Sequence, residues 1–231
     1  MDKIVLSHYG LDPSIEVDEE HFFTFVIENK FLFYKYVTEI KNKINGDPSP
    51  NFFLRLNNNE LLFDKHALAI FDIFNIDLNS KTILNLLSKK FGYFLRETNQ
   101  EEKLSNIEKT IFELVDDFGF STGLNLEYNE SLNETTLVRI CGLKVADDSL
   151  SLLERIFNYI DLYSELLPIK VFFLVFGKEF FSDDEIFQIY NHCYDKQLRF
   201  IIIENFDHSP LSLNENRLII DTDQCVITQN S

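Results

Sequence analysis

Val171-Phe-Phe-Leu-Val-Phe176 places six apolar residues in a row. A strand with one wet face alternates apolar and polar side chains, so an unbroken run of this kind has to be covered on both faces. It is also far too short to cross a bilayer. A second run, Phe200–Ile203, has the same character. Between the two, Ser182-Asp-Asp-Glu185 spells a capping box, in which serine and glutamate side chains each accept from a backbone amide at a helix start. Doubly covered strands joined by a helix predict a parallel sheet between helical layers, an α/β fold.

The remaining periodicities fill in that plan. His21–Ile27 reads as a strand, and Phe31, Leu32, Tyr34, Val37 and Ile40 as the helix after it. Past the turn at Gly46–Pro50, Phe52–Leu54 reads as extended, and Asp64 as the cap of a short helix carrying Ala67, Leu68, Ile70, Phe71 and Phe74. Ser80 caps a helix with Ile83, Leu84, Leu87 and Phe91. Leu104, Ile107, Ile111, Leu114, Val115 and Phe118 keep helical spacing up to Gly119, the expected stop, and Leu124–Tyr128 alternates like a strand. Leu150 to Leu167 forms another amphipathic helix, closed by Pro168, and Leu218–Ile220 and Cys225–Ile227 are final short strands. The expected organisation is an α/β head over 1–81 and 167–231 with an inserted α-helical leg over 82–166.

Composition excludes several functions. With 21 basic against 38 acidic residues the chain carries −17, which repels a polyanion and is unlike an ordinary basic nucleic-acid binder. No segment is long and apolar enough for a membrane span, and Ser7, His8 and Asp12 interrupt any leader-like stretch, so a cytoplasmic protein with no membrane partner is expected. Three dispersed cysteines, Cys141, Cys193 and Cys225, give no disulfide framework and read as small packing residues. No two of the seven glycines are one residue apart, and Phe172 stands where a P-loop before Gly177-Lys178 needs glycine, so no nucleotide is expected by either route. Five histidines without close pairing argue against catalytic zinc. Gly119-Phe-Ser-Thr-Gly123 matches the spelling of a nucleophile elbow with Ser121 as the serine, but it follows a helix instead of a strand.

Charge is unevenly distributed. From Thr110 to Val138 there is no Lys or Arg but six acids: Glu113, Asp116, Asp117, Glu127, Glu130 and Glu134. Glu113 and Asp117 are four apart on one helix and repel unless a cation intervenes, and alternation would set Asn125, Glu127 and Asn129 on one strand face. Hard oxygen donors suit calcium, and a solvated acidic face explains the same residues. Lys81, Lys89, Lys90 and Arg96 stand without an acid between Leu78 and Arg96, and four lysines meet only Glu39 from Lys30 to Lys43. These are candidate basic patches or ordinary wet helix faces.

The co-linear series Phe23-Thr-Phe-Val-Ile-Glu28, Phe33-Tyr-Lys-Tyr-Val37, Phe71–Ser80 with Thr82-Ile-Leu84, Leu126-Glu-Tyr-Asn-Glu130, Gly142-Leu-Lys-Val145 and the strand–helix unit at 171–190 resembles the accessory adaptation proteins of subtype II-A CRISPR systems, the Csn-two family, over about residues 22–206. The resemblance implies an ATPase-core-like head without its P-loop, an inserted helical leg, and a homotetrameric ring. It further implies a non-catalytic ring that holds double-stranded DNA ends, with calcium's help, during spacer acquisition beside the CRISPR integrase proteins and effector nuclease. Carried over residue by residue, Lys35, Lys144 and Arg155 become the expected DNA contacts, with Lys41, Lys89 and Lys90 added from local charge. Glu127 and Glu130 match acidic positions, Glu113 and Asp117 join them from helix geometry, and Asn129 stands where the family tends to have an acid. Two other readings stay beside this one, an acidic protein–protein interaction module without DNA binding and a hydrolase using Ser121.

Overall fold

The computed structural model describes residues 3–48, 51–57, 59–127, 133–147, 150–208 and 210–231. The chain divides into two compact units, Met1–Ile76 with Asp148–Ser231, and Asp77–Asp147. In chain order the first unit supplies β1 (Ile4–His8), β2 (Leu11–Val17), β3 (Phe22–Ile27), α1 (Lys30–Ile44), β4 (Phe52–Leu56), β5 (Asn59–Leu61), α2 (Phe63–His66) and β6 (Ala67–Ile70). The second holds α3 (Lys81–Glu97), α4 (Glu101–Thr122) and α5 (Glu134–Ile140). The chain then returns to the first with α6 (Leu152–Leu166), β7 (Val171–Val175), α7 (Gly177–Phe180), α8 (Asp183–Asp195), β8 (Arg199–Glu204), β9 (Glu215–Ile220) and β10 (Val226–Asn230).

Two sheets build the first unit. The larger runs β10-β9-β3-β8-β7-β6, parallel from β9 to β6, with β10 added antiparallel at one edge. The smaller, β2-β1-β4-β5, is antiparallel throughout. All residues of β3, β7 and β8 are buried, as the unbroken apolar runs of β7 and of Phe200–Ile203 in β8 require, and the polar Thr24, Arg199 and Glu204 are buried with them. Alternation sorts them: Phe23, Phe25, Ile27, Phe173, Val175, Ile201 and Ile203 join a core with the small sheet and α1. On that side Tyr36 of α1 packs its ring on Phe25 of one sheet and Phe52 of the other, at 6.2 and 5.4 Å. Phe22, Phe172 and Phe200 face the other way, where Phe200 stacks on Phe172 and Tyr190 of α8 lies 5.7 Å from Phe22. Each buried phenyl contributes about 1.5–3 kcal/mol.

In the second unit Ser80 caps α3 by accepting from the Ile83 amide, and Asn133 caps α5 by accepting from Thr136. Ile83, Leu95 and Val138 are buried in this unit. The Asn79 side chain accepts from the Val145 amide at 2.7 Å and donates back to its carbonyl at 3.0 Å, which pins the 143–147 segment.

Four expectations change. Ala67–Ile70 is not helical: α2 stops at His66, and the next four residues pair in parallel with β7. A four-residue apolar run has too little length to show a period, and the open edge of β7 decides it. α4 continues through Gly119 and ends at Gly123, whose φ of 70° supplies the left-handed turn that a side chain resists. Residues 124–127 form no strand, and the rest of that expected strand lies outside the described residues. Finally, α6 packs in the first unit, although the leg was expected to run to residue 166. Its Asp161 accepts from His192 of α8 at 3.0 Å and pairs with Lys196 at 2.8 Å, and Phe157 stacks on His192 at 4.6 Å.

Candidate nucleic-acid interface

Between β3 and α1 the chain has only Glu28 and Asn29. The Glu28 amide donates to Ile220, and Asn29 takes the Leu32 amide onto its own side chain. The helix donors that would cradle a phosphate at such a junction are thus partly satisfied internally, and the turn is too short for a loop around one. Lys178, the only lysine directly after a glycine, is equally unavailable: its side chain is buried and its Nζ donates to Glu215 Oε2 at 2.7 Å.

That lysine belongs to a buried charge network. Glu215 is held below the usual carboxylate range: burial pushes it up, and the hydrogen bond from Lys178, with further donors, outweighs it. Arg217 donates its Nε to Glu215 Oε1 at 2.9 Å, and its guanidinium reaches over to Asp207 and to the carbonyls of His208 and Pro210 at 3.2 and 3.5 Å. Glu204 accepts the Lys178 amide on Oε1 at 2.7 Å. Its Oε2 has no hydrogen-bond partner among the described residues, with His208 Nε2 3.5 Å away, and burial pushes its pKa up to about 7. Sequence reasoning missed this network, because an alternating Glu-Asn-Arg start of a strand reads as solvated.

The cations expected to touch DNA are spread over both units. Lys35 and Lys41 lie exposed on α1, their ammonium groups about 5.9 Å from the Tyr36 and Phe71 rings. Arg155 lies on α6, half-buried, with a buried Nε that has no hydrogen-bond partner among the described residues. α1 and the α6–α8 layer cover opposite faces of the large sheet, so this unit does not bring Lys35 and Arg155 together. In the second unit Lys89 and Lys90 are exposed on α3, and Lys144 is exposed on the segment clamped by Asn79. α3 and α5 border a groove of about 540 Å³ lined by Lys81, Asn85, Ser88 and Arg139 among others. Lys81 and Arg139 therefore join the candidate cations. Lys81 was legible as part of the uncompensated basic stretch, whereas Arg139 stands alone in sequence.

Among the described residues the acids do not converge. Glu113 is exposed on α4 with Lys109 at 3.9 Å, and Asp117 and Glu127 are exposed. Among the described residues no three His, Cys, Asp or Glu side chains gather closely enough to hold a metal ion. Asn129 and Glu130 lie outside the described residues, and the described donors do not by themselves fit calcium. Ser121 sits in the last turn of α4 and donates to the Phe118 carbonyl at 2.8 Å. That is not the strand-to-helix elbow of a hydrolase. No helix among the described residues is long and apolar enough to cross a membrane.

The family model "CRISPR-associated protein (Cas_Csn2)" matches residues 45–224. A CRISPR-associated protein Csn2 of Streptococcus agalactiae is 24% identical over 166 residues, which cover 71% of this chain and 72% of that relative. The crystal structure of Stu0660 of Streptococcus thermophilus superposes with a TM-score of 0.61 at 12% identity, over 99% of this chain and 76% of the other. A putative ABC transporter ATP-binding protein from Pyrococcus furiosus aligns with a TM-score of 0.41 at 10% identity, over 93% and 96% of the two chains. With more than three quarters of its length matched by one family model, from β4 of the small sheet to the hairpin after β9, the chain belongs to the Csn2 family of CRISPR-associated proteins.

Proposed function

We propose that four copies of this chain form a cytoplasmic ring that holds double-stranded DNA ends during spacer acquisition, beside the CRISPR integrase proteins and effector nuclease, and does not itself cut DNA. The observation that carries this reading is the family match over residues 45–224. The placement of charge is compatible with it. A body of −17 repels DNA at long range, but a Debye length of about 8 Å at physiological salt lets lysines on α1, α3 and the 143–147 segment act locally. Lysine contacts to phosphate carry no base information, so binding is independent of sequence. Lys35 and Arg155 cover opposite sheet faces, so a single duplex contacts both only when different copies supply them. Because the described acids do not gather, no binding step is routed through calcium.

A mobility-shift titration of linear against covalently closed circular duplex tests this, at two salt concentrations, with calcium and with chelator. Binding confined to linear DNA is expected, with affinity falling by about 0.9 log units per log unit of salt for each phosphate neutralised. Lys35→Glu combined with Lys144→Glu should abolish the shift while leaving the assembly intact. Absence of binding to either form would overturn the reading in favour of an acidic module that docks basic proteins.

A further inference from the structure

The two sheets of the first unit have four outer strands, and three of them carry a device that discourages further pairing. β2 holds Asp12, Pro13 and Glu16, and its pairing with β1 is irregular between Leu6 and His8. β5 is three residues long and contains Glu60. β6 is four residues long and almost wholly buried. β10 has none of these: Val226-Ile-Thr-Gln-Asn230 contains no charge, proline or glycine, and Val226 and Ile227 are 38% and 46% exposed.

The register shows which backbone groups lie open. Asp221 donates to the Cys225 carbonyl at 3.0 Å, and the pairs then run Val226 to Ile220, Ile227 to Ile219, Thr228 to Leu218 and Gln229 to Arg217. Antiparallel pairs alternate between hydrogen-bonded and non-hydrogen-bonded, so Ile227 and Gln229 bond to β9. Val226, Thr228 and Asn230 then turn their N–H and C=O groups away from the sheet.

We propose that this rim pairs antiparallel with β10 of a second copy, extending two six-stranded sheets into one of twelve. The inference rests on the assembly proposed above and names one surface that joins its copies. Two features select a second copy over a foreign strand. Antiparallel pairing centred on Thr228 sets Val226 opposite Asn230 of the other copy and Thr228 opposite itself, so the rim is its own complement. In a chain of −17, residues 224–231 carry no charged side chain, so no like-charged side chains face each other across the paired rims, and the rim offers a charged foreign peptide nothing to pair with.

The test is the mass of the assembled protein by sedimentation velocity for the unaltered chain, Thr228→Pro and Thr228→Lys. All three are compared at one protomer concentration, about 20 µM, because association follows mass action. Proline at 228 removes an outward N–H and leaves the bonds to β9, while lysine there sets two cations face to face. Halving of the assembly mass in both variants, with an unchanged far-ultraviolet circular dichroism spectrum, is the expected result. Unchanged mass in either variant, with the same spectrum, would overturn the β10 contact and leave the assembly itself standing. A monomeric unaltered chain would overturn the assembly reading and this inference with it.

Discussion

In the first unit every residue of β3, β7 and β8 is buried, whereas α4 in the second is twenty-two residues long with none buried. Both segments are rich in apolar side chains, and both were recognisable from their spacing. The difference is in what covers them. The strands lie between two layers of their own unit, whereas α4 leaves Leu114, Phe118 and Phe120 exposed. An amphipathic pattern therefore reports that a face wants burial and does not say that the chain provides it.

Substitutions can break or sharpen that contrast. The largest effect is expected at Phe200, between Phe172 and Phe22. Phe200→Ala should lower stability by about 3–5 kcal/mol in urea unfolding followed by circular dichroism. A loss under about 1 kcal/mol would mean that the strands are covered less tightly than described. An intermediate, pH-dependent effect is expected at Glu204. Its carboxyl is raised from 4.5 to about 7 in the fold, so the folded state holds its proton more tightly than the unfolded chain. Stability is therefore lost as pH climbs from about 4.5 to about 7, and the loss is complete above that. Glu204→Gln should melt a few degrees higher than the unaltered chain at pH 8, at about 2–4 °C per kcal/mol, and at the same temperature as the unaltered chain at pH 4. An equal difference at both pH values would show that the carboxyl is not the titrating group. The smallest effect is expected at Leu114, which is 65% exposed. Leu114→Ala should change stability by less than about 0.5 kcal/mol, the range of surface substitutions. A loss of about 2 kcal/mol or more, the range of a truncated core leucine, would show that α4 is covered in solution.

How legible the fold was depended on the kind of signal each segment carried. Continuous apolar runs disclosed β7 and β8, because such runs tolerate only one environment, and β3 was read from a run broken only by Thr24. Ser80 and Ser182 disclosed helix starts, because capping chemistry is local; Ser182 and Glu185 indeed satisfy each other's backbone amides. β1 and β2 went unread: Leu11-Asp-Pro-Ser-Ile15 is too mixed to show alternation, and its pairing is decided by partners distant in sequence. The candidate interface was less legible. Whether Lys35 and Arg155 share a site depends on which sheet face their helices cover, and nothing local to either residue encodes that. Lys178 shows the same limit, since a lysine after glycine is spelled identically whether it meets water or a buried glutamate.

The guanidinium of Arg217, anchored in the sheet, is bonded to Asp207, His208 and Pro210 on the connection between β8 and β9. Segments without regular structure are usually the first that proteases cut, because they open locally at little cost. Here, opening at Asp207, His208 and Pro210 strips partners from an arginine that is wholly buried. Limited digestion should therefore spare this connection until the sheet beneath it comes apart.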